Sequence, residues 1–309
     1  MREIQKKCEY CGKDFITTSR VRQCCSSECS YKLGAKKTLE SGKGFKRIYK
    51  VDDDFLTKET NEKYYFLGLM ASDGCLSEYN KSICISQSGE NGLNLIKYIK
   101  DILKSNYNIL EYYPKKGRCS YSLNIRSNKL WNDLMTNNIT PKKTYIYSIP
   151  DYIINDIEKL KYFLIGYIDG DGCIGVYQNM LTISFVCSYS MKNQLEKIPL
   201  FENSSFNKKG KVIEIRYNGY KALKFCDFLY KDISVYKSYK YQIFKDYKEN
   251  MFDISPKMKY NFIQEELFSA LDNDPNLDCM RYAKEHNINF QYVYRNRKLW
   301  RNKNEQNSK

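Results

Sequence analysis

Residues 65–76 of this 309-residue chain are repeated, with small changes, at residues 162–174. The first copy reads YFLGLMASDGCL and the second YFLIGYIDGDGCI, so each is an apolar, helix-like run with a glycine in the middle and an acid-glycine pair at the end. The strand-like run SICISQ matches LTISFVCS, SLNIRS matches VIEIRY, and each of these runs precedes a predicted amphipathic helix. The repetition predicts two copies of one supersecondary unit, at residues 61–150 and 151–250.

The paired motif has a direct physical interpretation. A glycine inside a helix costs about 1 kcal/mol relative to alanine, so Gly68 and Gly166 predict two helices whose backbones pack closely. Such packing brings the helix ends together and places Asp73 beside Asp171. Two close carboxylates resist joint ionisation unless a divalent cation lies between them, and hard oxygen ligands suit Mg²⁺. The pattern favours metal-assisted hydrolysis of a phosphodiester.

Composition supports a polyanionic partner and excludes several enzyme classes. Lys and Arg number 51 against 36 Asp and Glu, a net charge of +15, which favours binding to phosphates. The only histidine, His286, cannot supply a Ser-His-Asp triad, a histidine-based nuclease or a multi-histidine metal site. Any catalysis must rest on carboxylates, lysines, tyrosines or thiolates.

The two runs resemble the paired motif of the LAGLIDADG homing endonucleases in their single-chain, two-repeat form. The second copy, LIGYIDGDG at residues 164–172, is the sharper match, whereas FLGLMASDG at residues 66–74 has Ala71 where the family often has an earlier acid. The resemblance implies an α+β fold of two pseudo-symmetric αββαββα repeats, whose antiparallel sheets form a saddle over DNA. It also implies that Asp73 and Asp171 bind the metal, with the backbone carbonyls of Ser72 and Gly170 as further ligands.

The family places a polar and a basic residue around each scissile phosphate. Gln87 matches the polar residue, and its counterpart in the second repeat is Cys187 or Ser188. The resemblance implies that the basic strand-end residues are Arg126 and Arg216, which stabilise charge because arginine is not a general base.

Two lysines and one strand face complete the predicted DNA contacts. Lys143 and Lys237, in the matching segments NITPKKTY and DISVYKSY, are alternatives for contacting phosphate. In SLNIRS, strand alternation puts Ser122, Asn124 and Arg126 on one face, where a polar surface can contact base edges in the major groove.

Residues 1–30 contain five of the 12 cysteines and predict a zinc finger with four cysteine ligands. Cys8 and Cys11 have C-x2-C spacing, and Cys25 and Cys29 have C-x3-C spacing, which suits tetrahedral Zn²⁺. So short a segment cannot bury a core, so the metal would supply its folding energy. The pattern resembles the treble-clef or ribbon fingers attached to mobile-element nucleases. Cys24 is the alternative to Cys25 as third ligand.

The remaining segments are predicted to connect and to extend the repeats. Residues 31–60 read as a basic linker that can lie along a phosphate backbone. Residues 251–309 read as an amphipathic helix followed by a helix-turn-helix with its turn at Asn287. The second of these helices would present four cations to a DNA groove: Arg295, Arg297, Lys298 and Arg301.

We therefore expect a monomeric, site-specific endonuclease that makes double-strand breaks in DNA at a long target, with Mg²⁺ in its active site and Zn²⁺ in its finger. Two alternatives remain open, an intron RNA maturase on the same scaffold and a non-catalytic DNA-binding transcription regulator. No apolar run reaches the roughly 18 residues of a membrane span, and MREIQKKCEY lacks the apolar core of a signal peptide, so we expect an intracellular location.

Overall fold

The computed structural model describes residues 3–41, 48–254 and 258–307 and divides the chain into two compact units, Met1–Lys50 and Val51–Lys309. In the first unit, β1 (Ile4–Lys7) and β2 (Asp14–Thr17) form an antiparallel hairpin that precedes α1 (Ser27–Glu40). Helix α1 extends into the segment that was predicted to be a linker, and the central part of that segment, residues 42–47, lies outside the described residues.

The second unit contains the two repeats, and each has the predicted order αββαββα. The first consists of α2 (Asn61–Ser72), β3 (Gly74–Ser77), β4 (Ser82–Ser88), α3 (Gly89–Ile102), β5 (Ile109–Tyr112), β6 (Ser120–Arg126) and α4 (Asn128–Thr136). The short helix α5 (Asp151–Ile154) leads to the second repeat. This repeat consists of α6 (Ile157–Asp171), β7 (Cys173–Tyr177), β8 (Met180–Cys187), α7 (Tyr189–Leu195), β9 (Ser205–Lys209), β10 (Val212–Asn218) and α8 (Tyr220–Tyr230).

The two sheets share one topology. Their strand orders are β3-β4-β6-β5 and β7-β8-β10-β9, and all neighbouring strands are antiparallel. One face of each sheet is apolar because buried residues alternate along the strands, as Leu123 and Ile125 do in β6. The helices of each repeat pack on these apolar faces, α3 on β4 and β6, and α8 on β8 and β10. The opposite face of each sheet carries the polar side chains.

Helices α2 and α6 pack against each other at their glycines, as the sequence predicted. A Cβ atom on Gly68 would lie 1.9 Å from the carbonyl oxygen of Phe163, and one on Gly166 would lie 1.9 Å from that of Tyr65. The two backbones are therefore in direct contact. Residues 63–71 of α2 and 160–169 of α6 are buried without interruption, which explains why these stretches are mostly apolar on every side.

The C-terminal segment is helical, as predicted. Helix α9 (Tyr239–Ile254) packs on β7 and β8, while α10 (Met258–Asn273), α11 (Cys279–Glu285) and α12 (Phe290–Asn307) enclose a small core of their own. Asn287 has the left-handed φ of 51° that the turn between α11 and α12 requires. Across the described ranges, no helix combines the length and the apolar character that crossing a membrane requires.

The glycine contact predicts a large loss of stability when either glycine acquires a side chain. We expect Gly68→Ala and Gly166→Ala each to lower the free energy of unfolding by at least about 3 kcal/mol, because the methyl group would overlap backbone atoms that cannot move aside. Thermal unfolding followed by circular dichroism measures the change.

Gly34→Ala is the matched control for this substitution. Gly34 lies inside helix α1 with nothing within 4 Å of the position of a Cβ atom, so alanine there should leave the main transition unchanged or raise it slightly. Equal melting temperatures for all three variants would contradict a backbone-to-backbone contact.

Candidate active site and cysteine cluster

The packing of α2 on α6 brings the two motif acids to one place. Asp73 caps the C-terminal end of α2, and Asp171 is the last residue of α6. The Asp73 carboxylate also lies against the backbone of the opposite helix, since a Cβ atom on Gly170 would be 3.2 Å from its Oδ2. A glycine at position 170 is therefore required by the close approach of the other half.

The surroundings of the two acids favour a positive charge between them. Burial, followed by the charge of Asp73, raises the pKa of Asp171 to about 6. The helix ends add the partial negative charge of their carbonyl groups. The amide of Gln87 donates to Asp73 Oδ2 at 2.5 Å, so this predicted residue does lie at the site. A cavity of about 270 Å³ opens beside Gln87 and Gly170 and has room for a phosphate group and water.

Two buried lysines lie at the ends of these helices, one in each half. Lys143 Nζ donates to the carbonyls of Gly74 and, at 3.3 Å, of Ser72. Lys240 Nζ donates to the carbonyls of Ile168 at 2.6 Å, Asp169 at 3.0 Å and Gly170 at 3.4 Å. Burial lowers the pKa of both ammonium groups, and the neighbouring carboxylates oppose that shift. Each half thus combines a carboxylate with a lysine.

Lys240, rather than Lys237, occupies the position in the second half that Lys143 occupies in the first. Lys237 is exposed, and its ammonium lies 5.7 Å from the centre of the Tyr241 ring. Matching the segments KTY and KSY paired Lys143 with Lys237 in the sequence. The structure instead begins helix α9 at Tyr239, and Lys240 in its first turn reaches the site.

Strand register settles which residue corresponds to Gln87. Cys75 lies opposite Cys84 in the first sheet, and Cys173 lies opposite Ser184 in the second. Gln87, three residues after Cys84, therefore corresponds to Cys187 and not to Ser188. Burial raises the pKa of the Cys187 thiol to about 12. The second half thus has a protonated thiol where the first half has an amide.

Strand register also shows that the two arginines do not occupy corresponding positions. Asn124 lies opposite Cys84, and Arg216 lies opposite Ser184, so Arg216 corresponds to Asn124 and not to Arg126. Arg126 is exposed on the polar face of its sheet. Arg216 lies on the polar face of the other sheet, where its guanidinium donates to Glu214 at 2.9 Å.

The predicted base-contacting residues lie on that same polar surface. Ser122 and Asn124 alternate with the buried Leu123 and Ile125 along β6, and they share the outer face of the sheet with Arg126. Their position agrees with the alternation that the sequence displays.

Four cysteines converge in the N-terminal unit. The sulfur atoms of Cys8, Cys11, Cys25 and Cys29 lie within 4.8 Å of one another. Cys11 Sγ is 3.6 Å from Cys25 Sγ, which is 3.7 Å from Cys29 Sγ. Four sulfurs around one Zn²⁺ would be about 3.8 Å apart, given Zn–S bonds of about 2.3 Å. The donor set and its spacing therefore fit tetrahedral zinc.

The local fold explains why these four thiols meet. Cys8 and Cys11 flank the tight turn of the β1-β2 hairpin, where Gly12 has a φ of 73° and donates to the Cys8 carbonyl. Cys25 and Cys29 lie at the start of α1. Backbone hydrogen bonding, chiefly from Cys11, lowers the pKa of the Cys8 thiol to about 5, which favours the thiolate form that binds a metal. Cys24 is buried beside Cys8 and Leu33 but lies outside the group of four.

The four predicted cations of the C-terminal module differ in their surroundings. Arg295, Lys298 and Arg301 are exposed on α12. Arg297 instead donates to the backbone carbonyls of Pro275 at 2.9 Å and Leu277 at 3.1 Å. Arg297 therefore holds the loop between α10 and α11 against α12.

Sequence reasoning identified Asp73, Asp171, Gln87 and Lys143 at the site and missed others. Lys240 was missed because a lysine at the start of a predicted helix is indistinguishable from a surface residue. Asp169 was noted only as part of the motif. It is buried, and it accepts hydrogen bonds from Tyr65 and Ser238.

Two αββαββα repeats, joined in one chain through glycine-packed helices that end in paired acids, form the fold that the resemblance to LAGLIDADG proteins implied. No protein-family model matches the sequence, and no curated protein matches it significantly. Solved structures do match the chain.

One similar structure is full-length DUF199/WhiA from Thermatoga maritima, with 14% identity and a TM-score of 0.38 over 81% of this chain and 94% of that chain. Two others are LAGLIDADG proteins: the meganuclease I-AabMI bound to uncleaved DNA, and the homing endonuclease I-GzeII in complex with its DNA target. Each has 14% identity over 63% of this chain and 91% of the other, with TM-scores of 0.41 and 0.40. Likenesses this distant decide nothing about activity.

The cysteine geometry predicts which thiols a metal requires. We expect one zinc per chain in the purified protein, lost in Cys25→Ser and retained in Cys24→Ser, because only Cys25 has its sulfur within the group of four. Elemental analysis of gel-filtered protein measures the zinc content.

Cys24→Ser serves as the matched control, since it makes the same replacement of sulfur by oxygen at the adjacent residue. If Cys24→Ser lost its zinc and Cys25→Ser retained it, the third ligand would be Cys24 and not Cys25. Absence of zinc from the unmodified protein would contradict the site altogether.

Proposed function

We propose that this protein is an endonuclease that hydrolyses both strands of duplex DNA at a specific site. The observation that carries the proposal is the pair Asp73 and Asp171 at the crossing of α2 and α6, each accompanied by a buried lysine. Two carboxylates held this close in a partly buried site destabilise one another, and the arrangement is useful if a cation binds between them.

The residues at the crossing fit a hard divalent cation such as Mg²⁺. Asp73 and Asp171 supply carboxylate oxygens, and the carbonyls of Ser72 and Gly170 lie beside them as further oxygen donors. Bound there, the metal would supply Lewis-acid stabilisation of the developing charge and an activated water.

The side chains of the protein perform the remaining tasks. Lys143 and Lys240 provide fixed positive charge on either side of the acids, where it would stabilise the negative charge that develops on a phosphate. Gln87 holds the Asp73 carboxylate and has an amide available to orient water or phosphate. Because each half contributes one acid and one lysine, a single chain can act on two strands, which supports a monomer.

Two polar sheet faces and the net charge of +15 support DNA as the substrate. The outer faces carry Ser122, Asn124, Arg126 and Arg216, which are side chains that can bond to base edges or phosphates. Most of the affinity would come from phosphate contacts and would fall with rising salt.

Replacement of either acid tests the catalytic proposal. We expect Asp73→Asn and Asp171→Asn to bind duplex DNA as tightly as the unmodified protein. Their cleavage should fall by at least about 100-fold, since several kcal/mol of transition-state stabilisation would be lost. Digestion of a randomised duplex library with Mg²⁺, followed by sequencing of the ends, measures cleavage and identifies the site.

Asp232→Asn is the control, because Asp232 is an exposed acid with a left-handed backbone that asparagine adopts equally well. It should cut at the unmodified rate. If the double variant with Asn at both motif positions cut at full rate, the acids would have no catalytic role.

A non-catalytic, DNA-binding regulator is the second candidate, and the C-terminal helix-turn-helix favours it. Helices α11 and α12 meet at the Asn287 turn, and α12 presents Arg295, Lys298 and Arg301 to solvent. In either case we propose that α12 binds DNA. Retention of both motif acids favours the nuclease, and the library digestion decides between the two.

The different surroundings of the cations on α12 predict different defects. We expect Arg295→Ala and Lys298→Ala each to weaken DNA binding and to reduce the slope of log affinity against log salt by about 1. Arg297→Ala should lower the melting temperature and leave that slope unchanged, because its guanidinium binds the protein backbone. Fluorescence anisotropy over a series of salt concentrations gives the slopes. A reduced slope for Arg297→Ala with unchanged stability would overturn this division of roles.

A further inference from the structure

Asp169 is a buried carboxylate that connects three parts of the second unit. It lies on α6, two residues before Asp171, and its side chain is 5% exposed. Its Oδ2 accepts a hydrogen bond from the hydroxyl of Tyr65 on α2 at 2.8 Å, and its Oδ1 accepts one from Ser238 Oγ at 2.6 Å. Tyr65 is fully buried. Both oxygens of the acid are thus satisfied by residues that come from distant parts of the chain.

The two repeats form this contact at only one of the two symmetry-related positions. Aligning Gly68 with Gly166 makes Ala71 the counterpart of Asp169 and Phe163 the counterpart of Tyr65. The acid of the second half meets a phenol of the first half, whereas the corresponding positions carry the methyl group of Ala71 in the first half and the plain aromatic ring of Phe163 in the second. The two halves match in backbone and in their motif acids, and they differ in this polar contact.

The contact bears on Lys240. Ser238 lies two residues before Lys240, and the Lys240 ammonium bonds to the backbone carbonyls of Ile168, Asp169 and Gly170. The hydrogen bond from Ser238 to Asp169 therefore ties the segment that carries the lysine to the helix that the lysine touches. The negative charge of Asp169 also attracts the ammonium. Lys143, by contrast, bonds to the carbonyls of Ser72 and Gly74, and Ala71 provides no such tie.

We propose that Asp169 is a positioning residue that holds Lys240 in place, so that cleavage of one DNA strand depends on Asp169 and cleavage of the other does not. The proposal rests on the nuclease function proposed above. A buried hydrogen bond between α6 and residues 238–240 restricts the lysine to one location, and a charge that is already in place stabilises a transition state without further reorganisation. The two halves would then be unequal in chemistry although they are similar in fold.

The first test measures the position of the lysine without DNA or metal. Brief reductive methylation of the metal-free protein with formaldehyde and cyanoborohydride, read by mass spectrometry, reports how accessible each lysine is. We expect Asp169→Ala and Ser238→Ala to speed modification of Lys240 by about tenfold, as loss of one buried hydrogen bond would, and to leave Lys143 unchanged. Tyr65→Phe, which reproduces Phe163, should have a smaller effect in the same direction.

Two results of the methylation experiment would contradict the proposal. Equal acceleration at Lys143 and Lys240 would indicate general loosening of the core, and no change at Lys240 would show that Asp169 does not hold it. Either result overturns the proposal. Asp169→Asn guards against misfolding, because it keeps the size of the acid and one acceptor oxygen, while it replaces the other oxygen by an amide donor and removes the charge.

The second test resolves the two strands. The substrate is a duplex selected from the randomised library and labelled separately on each strand. We expect Asp169→Ala to slow cleavage of one strand by about tenfold and cleavage of the other by less than about twofold. Lys240→Ala should slow cleavage of the same strand, and Lys143→Ala should slow cleavage of the opposite strand. Nicked product would then accumulate.

Equal slowing of both strands by Asp169→Ala would refute the strand-selective role. If the unmodified protein cuts no duplex in the library, the proposed nuclease function fails instead. The methylation result still reports on the tie between Asp169 and Lys240 in that case, so the two failures are distinguishable.

Discussion

Direct contact between the backbones of α2 and α6 is the constraint on which the rest of the second unit depends. Gly68 and Gly166 each leave space for a carbonyl group of the other helix, and a side chain at either position would overlap backbone atoms. This close approach brings the helix ends together. The position of Asp73 against Gly170, the raised pKa of Asp171 and the reach of the two lysines to the helix-end carbonyls all follow from it. The two glycines thus make possible the contact between α2 and α6, around which the two polar sheet faces are arranged.

Much of the fold could be predicted from the sequence because the repeated signals were long and strong. Two apolar helices with the same glycine and the same acid, each followed by alternating strands, specify the order αββαββα. Cysteine spacing predicted the group of four in a similar way, since turn and helix geometry limit which thiols can meet. Spacing alone does not choose between Cys24 and Cys25, because adjacent residues differ by only one position in their separation from Cys29.

The second-repeat counterparts were harder to predict, for a physical reason. A strand alternates with a period of two, so a match shifted by two residues keeps every side chain on its proper face. The pairing of Arg126 with Arg216 was shifted in this way, and only hydrogen-bond register reveals the shift. Lys237 and Lys240 differ by three residues at the start of a helix, where the exact first residue decides which side chain points inward. Sequence similarity alone determines neither register nor a helix start.

The spacing between glycine and acid has a consequence for how the motif can change. Asp73 follows Gly68 by five positions, and Asp171 follows Gly166 by the same five. Adding one residue within either interval would rotate the carboxylate by about 100° around its helix axis and move it by about 1.5 Å along it. That acid would then face away from its partner and leave the partner alone. Side chains within the motif can therefore be replaced, as Ala71 and Asp169 illustrate. The length of the interval cannot vary in one half without separating the two carboxylates.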